Sequence, residues 1–269
     1  MQLEDDTVLE NNPLTSAVHR VLDLDLDFFV LPTEHMKSGR NRLPESRFSC
    51  STPAEVESFL ETQCGLRKDH KIPGRLCIDH DEAFGTWREW IETGVIDAPF
   101  DVDHVDAHAD MGLGDPSWTY LLTDFLALPV EQRSQPKRGS EGLNFGSYLA
   151  FAVANRWIRS LAYVYGADTP MVDGFPGDIH TIFFRDENWK HGPIELPHYS
   201  HQQIDRILMA VRENPEPLRR EPAVPNKYVA GSDYNGGGFT HMILAQSPGY
   251  TPASADALIS VITQYFYES

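Results

Sequence analysis

The segment Val21-Leu-Asp-Leu-Asp-Leu-Asp-Phe-Phe29 constrains the fold of this chain more than any other stretch. Apolar residues alternate with Asp23, Asp25 and Asp27, so the spacing predicts a β-strand carrying all three carboxylates on one face. Leu22, Leu24, Leu26, Phe28 and Phe29 make that strand internal. A row of like charges taken into a protein interior is very costly unless protons or cations neutralise it. The carboxylates are therefore expected to line a pocket at the strand's end, where a metal site would remove the cost.

Other readings of the segment fit less well. An EF-hand loop also begins with alternating Asp, and Glu34 falls at its twelfth position. Its sixth position must be Gly for the turn, and here it is Phe28. A haloacid-dehalogenase phosphatase uses a DxDx(T/V) strand, but Asp27 occupies the Thr/Val place. A strand end with solvated carboxylates is the structural alternative.

The chain has 269 residues, 41% of them hydrophobic, enough for one large domain or two small ones. No composition break divides it, so one catalytic domain over 1–269 is expected, with the polar, acidic residues 1–19 as a loosely attached lead-in. No apolar run approaches the ~20 residues of a membrane span, and the N-terminus lacks a signal-peptide pattern. Cys50, Cys64 and Cys77 form no CxxC pair, which suits a reducing cytoplasm. Asp and Glu number 40 against 22 Lys and Arg, a formal charge of −18. That balance argues against nucleic acid or a membrane surface as partner. It suits a cationic substrate, although acidic solubility is the commoner explanation.

Strand and helix signals alternate along the chain. Thr52-Pro53-Ala54-Glu55 is a capping box opening a helix to about Cys64. A strand is expected over Arg75–Asp79, then a helix with Trp87, Trp90 and Ile91 on one face, stopped by Gly94. A third strand runs from Phe100 into Asp110. Further helices are expected over about 120–128, 145–157, 200–213 and 251–266, and strands over 161–165, 180–184, 227–230 and 242–245. Residues 32–50, 166–177 and the Pro-rich 215–225 read as loops, and Gly231–Gly238 as a flexible loop at a site's rim. This order predicts an α/β fold: a three-layer α/β/α sandwich with a mostly parallel central sheet and its site outside the strands' carboxyl ends.

The segment Asp106-Ala-His-Ala-Asp110 is the most specific signal. On an extended backbone Asp106, His108 and Asp110 share one face. Together with Asp25, Asp27 and His80 they give four carboxylates and two imidazoles, too many for one tetrahedral zinc. They suit two cations sharing a bridging carboxylate at ~3.5–4 Å. Oxygen-rich ligation with no thiolate favours two Mn2+, with Zn2+ or Fe2+ as second choices. Asp23 shares the face of Asp25 and Asp27, and its role stays open.

Val105-Asp-Ala-His-Ala-Asp110 resembles the DAHxD motif of arginases and agmatinases. Asp79-His80 resembles the segment supplying their first metal-binding His, and Asp25-Leu-Asp27 their DxD strand. In arginases the DxD strand comes late, whereas here it comes first. That order, DLDLDFF before DHDEAFxxW and DAHAD, is similar to a branch of arginase-like proteins that includes the peptide arginases, and the resemblance covers roughly residues 20–115. It implies an arginase/deacetylase-like fold with rearranged strand order, and conversion of arginine to ornithine plus urea within a ribosomally made precursor peptide. It also implies that Asp106 and Asp25 contact both ions, with His80 and Asp110 completing one site and His108 and Asp27 the other.

Asp110 could also hydrogen-bond the nucleophile. Glu82 could clamp the guanidinium, or simply be the acid that favours a helix N-terminus. Asn144, in Leu143-Asn-Phe-Gly-Ser147, resembles a substrate-contacting Asn, or is an ordinary N-cap. His180, His191 and His241 are unranked candidates for a proton shuttle. The alternatives are a small-guanidine ureohydrolase, a deacetylase-type amidohydrolase, or a metal-binding regulatory protein without turnover.

Overall fold

Alternating apolar and acidic residues build the centre of the molecule. The computed structural model describes residues 18–35, 41–112, 116–172, 175–176, 181–183, 192–208 and 215–269; the lead-in at 1–17 and the candidates His180 and His191 lie outside them. Seven strands form one sheet: β1 (Arg20–Asp25), β2 (Ile72–Cys77), β3 (Phe100–Asp106), β4 (Ile158–Tyr165), β5 (Asn226–Ala230), β6 (His241–Ala245) and β7 (Phe266–Glu268). Their order is β5-β4-β3-β1-β6-β2-β7, and every pairing is parallel. β1 is the middle strand, as its apolar content predicts.

Helices cover both faces of this sheet, giving the three-layer α/β/α sandwich. Leu22 and Leu24 pack on the side of α1 (Pro53–Ser58) and α6 (Asp256–Ile262), with Val56, Phe59, Leu60, Leu258 and Ile262. Val21, Phe100 and Val102 face α2 (Glu82–Glu92) and α4 (Tyr148–Ala154), with Trp87, Trp90 and Phe151. Among the described residues the remaining α-helices are α3 (Ser117–Tyr120) and α5 (His201–Leu208). Among the described residues no helix is long and apolar enough to cross a membrane.

The capping box at Thr52 forms where the sequence places it, and a second forms at Ser200. Thr52 Oγ1 accepts from Glu55 N while Glu55 Oε2 accepts from Thr52 N; Ser200 and Gln203 make the same exchange.

Several boundaries differ, each for a local reason. The strand expected over 21–29 stops at Asp25, because Asp25 Oδ1 accepts from Asp27 N and turns Leu26–Phe29 into a 3-10 helix. The strand expected to reach Asp110 stops at Asp106, whose Oδ1 accepts from His108 N in the same way. Part of the Pro-rich run is strand, not loop: Arg219–Val224 pairs antiparallel with Ile194–His198 in a separate ribbon. Pro222 sits at the register shift between Glu221 and Ala223, where no ladder donor is needed. Thr181–Phe183 is a 3-10 turn rather than strand, and the last helix ends at Ile262 before β7. Residues 166–177 include a short ribbon pairing Met171–Val172 with Phe175–Pro176.

Candidate metal centre

The two Asx-type turns that end β1 and β3 create the site. Each uses one carboxylate oxygen for the turn and leaves the other facing inward. Asp25 Oδ2 lies 3.0 Å from His80 Nδ1, and Asp106 Oδ2 lies 2.9 Å from the same atom. His80 comes from the turn after β2, which the bond from Ala83 N to His80 O carries into α2. Asp110 approaches from the chain after β3, with Oδ2 at 3.3 Å from His80 Nδ1. Its backbone is left-handed, with φ of 47°, a conformation Asp tolerates better than most residues.

A second group forms alongside. His108 Nδ1 is 3.0 Å from Asp27 Oδ2 and 3.6 Å from Asp106 Oδ1. Because the chain turns over the strand end, Asp27 reaches the cluster from a 3-10 helix rather than from the strand face. Asp106 belongs to both groups, and also to one with His104 and Asp110. The six residues singled out as ligands therefore converge at the carboxyl ends of β1, β2 and β3.

The chemistry of the cluster calls for a cation. His80 Nδ1 and Asp106 Oδ2 are buried and make no aligned hydrogen bond. Each imidazole is anchored from behind and presents Nδ1 to the carboxylates: His80 Nε2 meets Asp23 Oδ1 at 3.1 Å, and His108 Nε2 meets the Glu34 carbonyl at 2.8 Å. This backing of a ligand's second nitrogen by a carboxylate or carbonyl is the usual arrangement in metal sites. The residues are positioned to hold a metal ion.

Protonation shows the same strain. Burial, then the charges of Asp25 and Asp106, raise the Asp27 carboxyl well above its ordinary value. Burial and the charge of Asp106 push Asp110 up to about 6. Burial alone would lower His80 and His108, but Asp23 and Asp27 respectively lead a set of carboxylates that raises both. Protons thus occupy the place that a cation would take.

The structure also places the open candidates that lie among the described residues. Asp23 accepts from Tyr148 Oη at 2.6 Å and meets His104 Nδ1 at 3.0 Å, and with His80 and His104 it forms a further group close enough to hold a metal ion. Glu82 is exposed at the start of α2, and its Oε2 accepts from Ile78 N. Asn144 closes its own turn, with Oδ1 accepting from Gly146 N and Nδ2 donating to the Gly142 carbonyl. Neither joins the cluster. His241 opens β6 at the sheet's amino end, against Trp90 and His19. The Gly-rich loop starts against Phe28 at Gly231 and runs back along the molecule, where Arg20 Nη1 donates to the Gly237 carbonyl and Gly236 N to the Gln63 carbonyl.

Four residues of the site escaped sequence reasoning: Tyr148, His104, Ser247 and Tyr250. Ser247 Oγ donates to Asp25 Oδ2, and the Tyr250 ring lies 4.8 Å from that of His108. The available signal was position, since 246–250 directly follows a strand next to β1. Comparison with protein-family models, curated proteins and solved structures finds no match to this chain.

Proposed function

We propose that this chain is a binuclear manganese hydrolase that converts arginine within a peptide to ornithine and releases urea. The carrying observation is Asp106, a buried carboxylate common to two adjacent Asp/His groups, as a pair of cations would require. Asp25, His80, Asp106 and Asp110 would hold one ion, and Asp27, Asp106 and His108 the other. Two ions so held supply a hydroxide nucleophile from water near neutral pH.

The chain's own groups would do the rest. Carboxylates of the cluster not taken up by the ions would orient the planar guanidinium. Asp110, whose Oδ2 reaches the same cluster, would pass a proton from the attacking water to the leaving amine. One water is consumed, the guanidino carbon leaves as urea, and the side chain keeps an amine. Ile78, an exposed apolar residue just past the end of β2, supports a substrate larger than a free amino acid.

The test is the mass change to ornithine on a long arginine-containing peptide, a short one and free arginine, with manganese restored after chelation. The expected order is long peptide first and free arginine last, because contacts remote from the guanidinium contribute to turnover. Equal efficiency on free arginine would leave a small-guanidine ureohydrolase. Cation uptake with no ornithine from any of the three would sink the hydrolase reading.

A further inference from the structure

The period-two pattern that fills the cation site continues one layer deeper. On β1, Asp23 lies on the same face as Asp25; on β3, His104 lies on the same face as Asp106. Asp23 and His104 are direct partners in the β1–β3 register. Tyr148, the first residue of α4, covers them, and all three are fully buried. His80 spans the two layers, with Nδ1 toward Asp25 and Asp106 and Nε2 toward Asp23 and Tyr148.

The bonds in the lower layer have one consistent direction. Asp23 is an acceptor only, taking the Tyr148 hydroxyl at 2.6 Å. With its proton committed there, Tyr148 Oη can only accept from His80 Nε2, 3.0 Å away. Asp23 Oδ1, 3.1 Å from Nε2, likewise only accepts. Both neighbours therefore demand N–H at Nε2 and leave Nδ1 as the lone pair facing the carboxylates. His104 meets two acceptors, Asp23 Oδ2 at 3.0 Å and the His108 carbonyl at 3.0 Å, so it ties Asp23 to the backbone that carries the second imidazole.

We infer that Asp23, Tyr148 and His104 are positioning residues: a buried relay that fixes the tautomer and orientation of His80 for the cation. This rests on the metal reading above but not on the identity of the substrate. Loss of an outer partner of a ligating imidazole lowers metal affinity by about 10–100-fold.

The test compares wild type, Tyr148→Phe, Asp23→Asn and His80→Ala. Manganese affinity is read by competition with a chromogenic chelator, and folding by thermal unfolding of the chelator-treated chain. Tyr148→Phe keeps the ring that packs on Trp87 and should unfold close to wild type while binding Mn2+ about 10-fold more weakly or worse. In a His80→Ala background the same change should have no further effect on affinity, because it acts through His80. Asp23→Asn should weaken binding at least as much; should it fail to fold, Tyr148→Phe decides alone. Unchanged affinity in Tyr148→Phe, or an equal loss with and without His80, overturns the relay. A wild-type chain that takes up no Mn2+ overturns relay and metal reading together. One that binds Mn2+ but forms no ornithine overturns only the hydrolase.

Discussion

Asp110 carries the conflict between stability and function in one side chain. Burial and the Asp106 charge hold its carboxyl at about 6, whereas in the unfolded chain it titrates near an ordinary carboxylate value of about 4. The folded chain therefore binds that proton more tightly. The stability it contributes is fully present below about pH 4 and is lost as the pH rises through 6. Above that, the ionised group costs the cation-free fold up to about 3 kcal/mol. Asparagine keeps the shape, removes the charge and tolerates the left-handed backbone. Asp110→Asn should accordingly be more stable than wild type by about 1–3 kcal/mol at pH 7.5 in chelator. The gap should close by pH 4, and added Mn2+ should reverse the order by stabilising only the wild type. Urea unfolding across this range checks it; equal stabilities at pH 7.5 would show that Asp110 carries no buried-charge cost.

At the scale of elements, the sheet's edge depends on a close approach that only glycine allows. Gly74 of β2 lies between β6 and β7, and a Cβ there would meet the Met242 carbonyl and the Phe266 ring at 2.8 Å each. Gly74→Ala should cost about 1–3 kcal/mol in urea unfolding, by pushing β7 off its neighbour. Manganese affinity should not change, since His80 lies past the opposite end of β2. A neutral substitution would mean that β7 is not held in register. β7 itself was invisible in the sequence because three residues carry too little pattern to separate strand from helix end. The six other strands of the sheet were legible, from apolar–acidic alternation in β1 and β3 and from short strand-like runs bounded by turn residues in the rest. The convergence of the six candidate ligands was also legible, but for a partly mistaken reason. Asp27, His108 and Asp110 do not lie on extended strands; side-chain turns at Asp25 and Asp106 fold them over the strand ends. Asx turns and strands share the same D-x-D spacing, so spacing alone could not separate them. Tyr148 was illegible because nothing in its local sequence marks it, and Ser247 had only its place after β6; the packing of α4 and the β6 turn brings them to β1.

The whole molecule carries a formal charge of −18, and the candidate site is itself a concentration of carboxylates at one end of the sheet. Two bound cations would neutralise much of the local charge but little of the total. A peptide with basic residues flanking its arginine would then approach through a favourable field, which raises encounter rates by about 10–1000-fold in well-focused cases. Contacts made after docking act over short distances and respond weakly to salt, whereas the field extends about 30 Å at 10 mM ionic strength and only about 3 Å at 1 M. The two contributions are therefore separable. Peptides identical around the arginine but carrying lysine or glutamate flanks should differ strongly in kcat/KM at low salt, with the lysine form ahead. The difference should come mainly from association rather than kcat, and it should nearly vanish at 1 M NaCl. Stopped-flow binding and ornithine formation over a salt series would measure both. A lysine preference that persists at 1 M salt would place the discrimination in direct contacts at the opening, and the acidic surface would then be a matter of solubility alone.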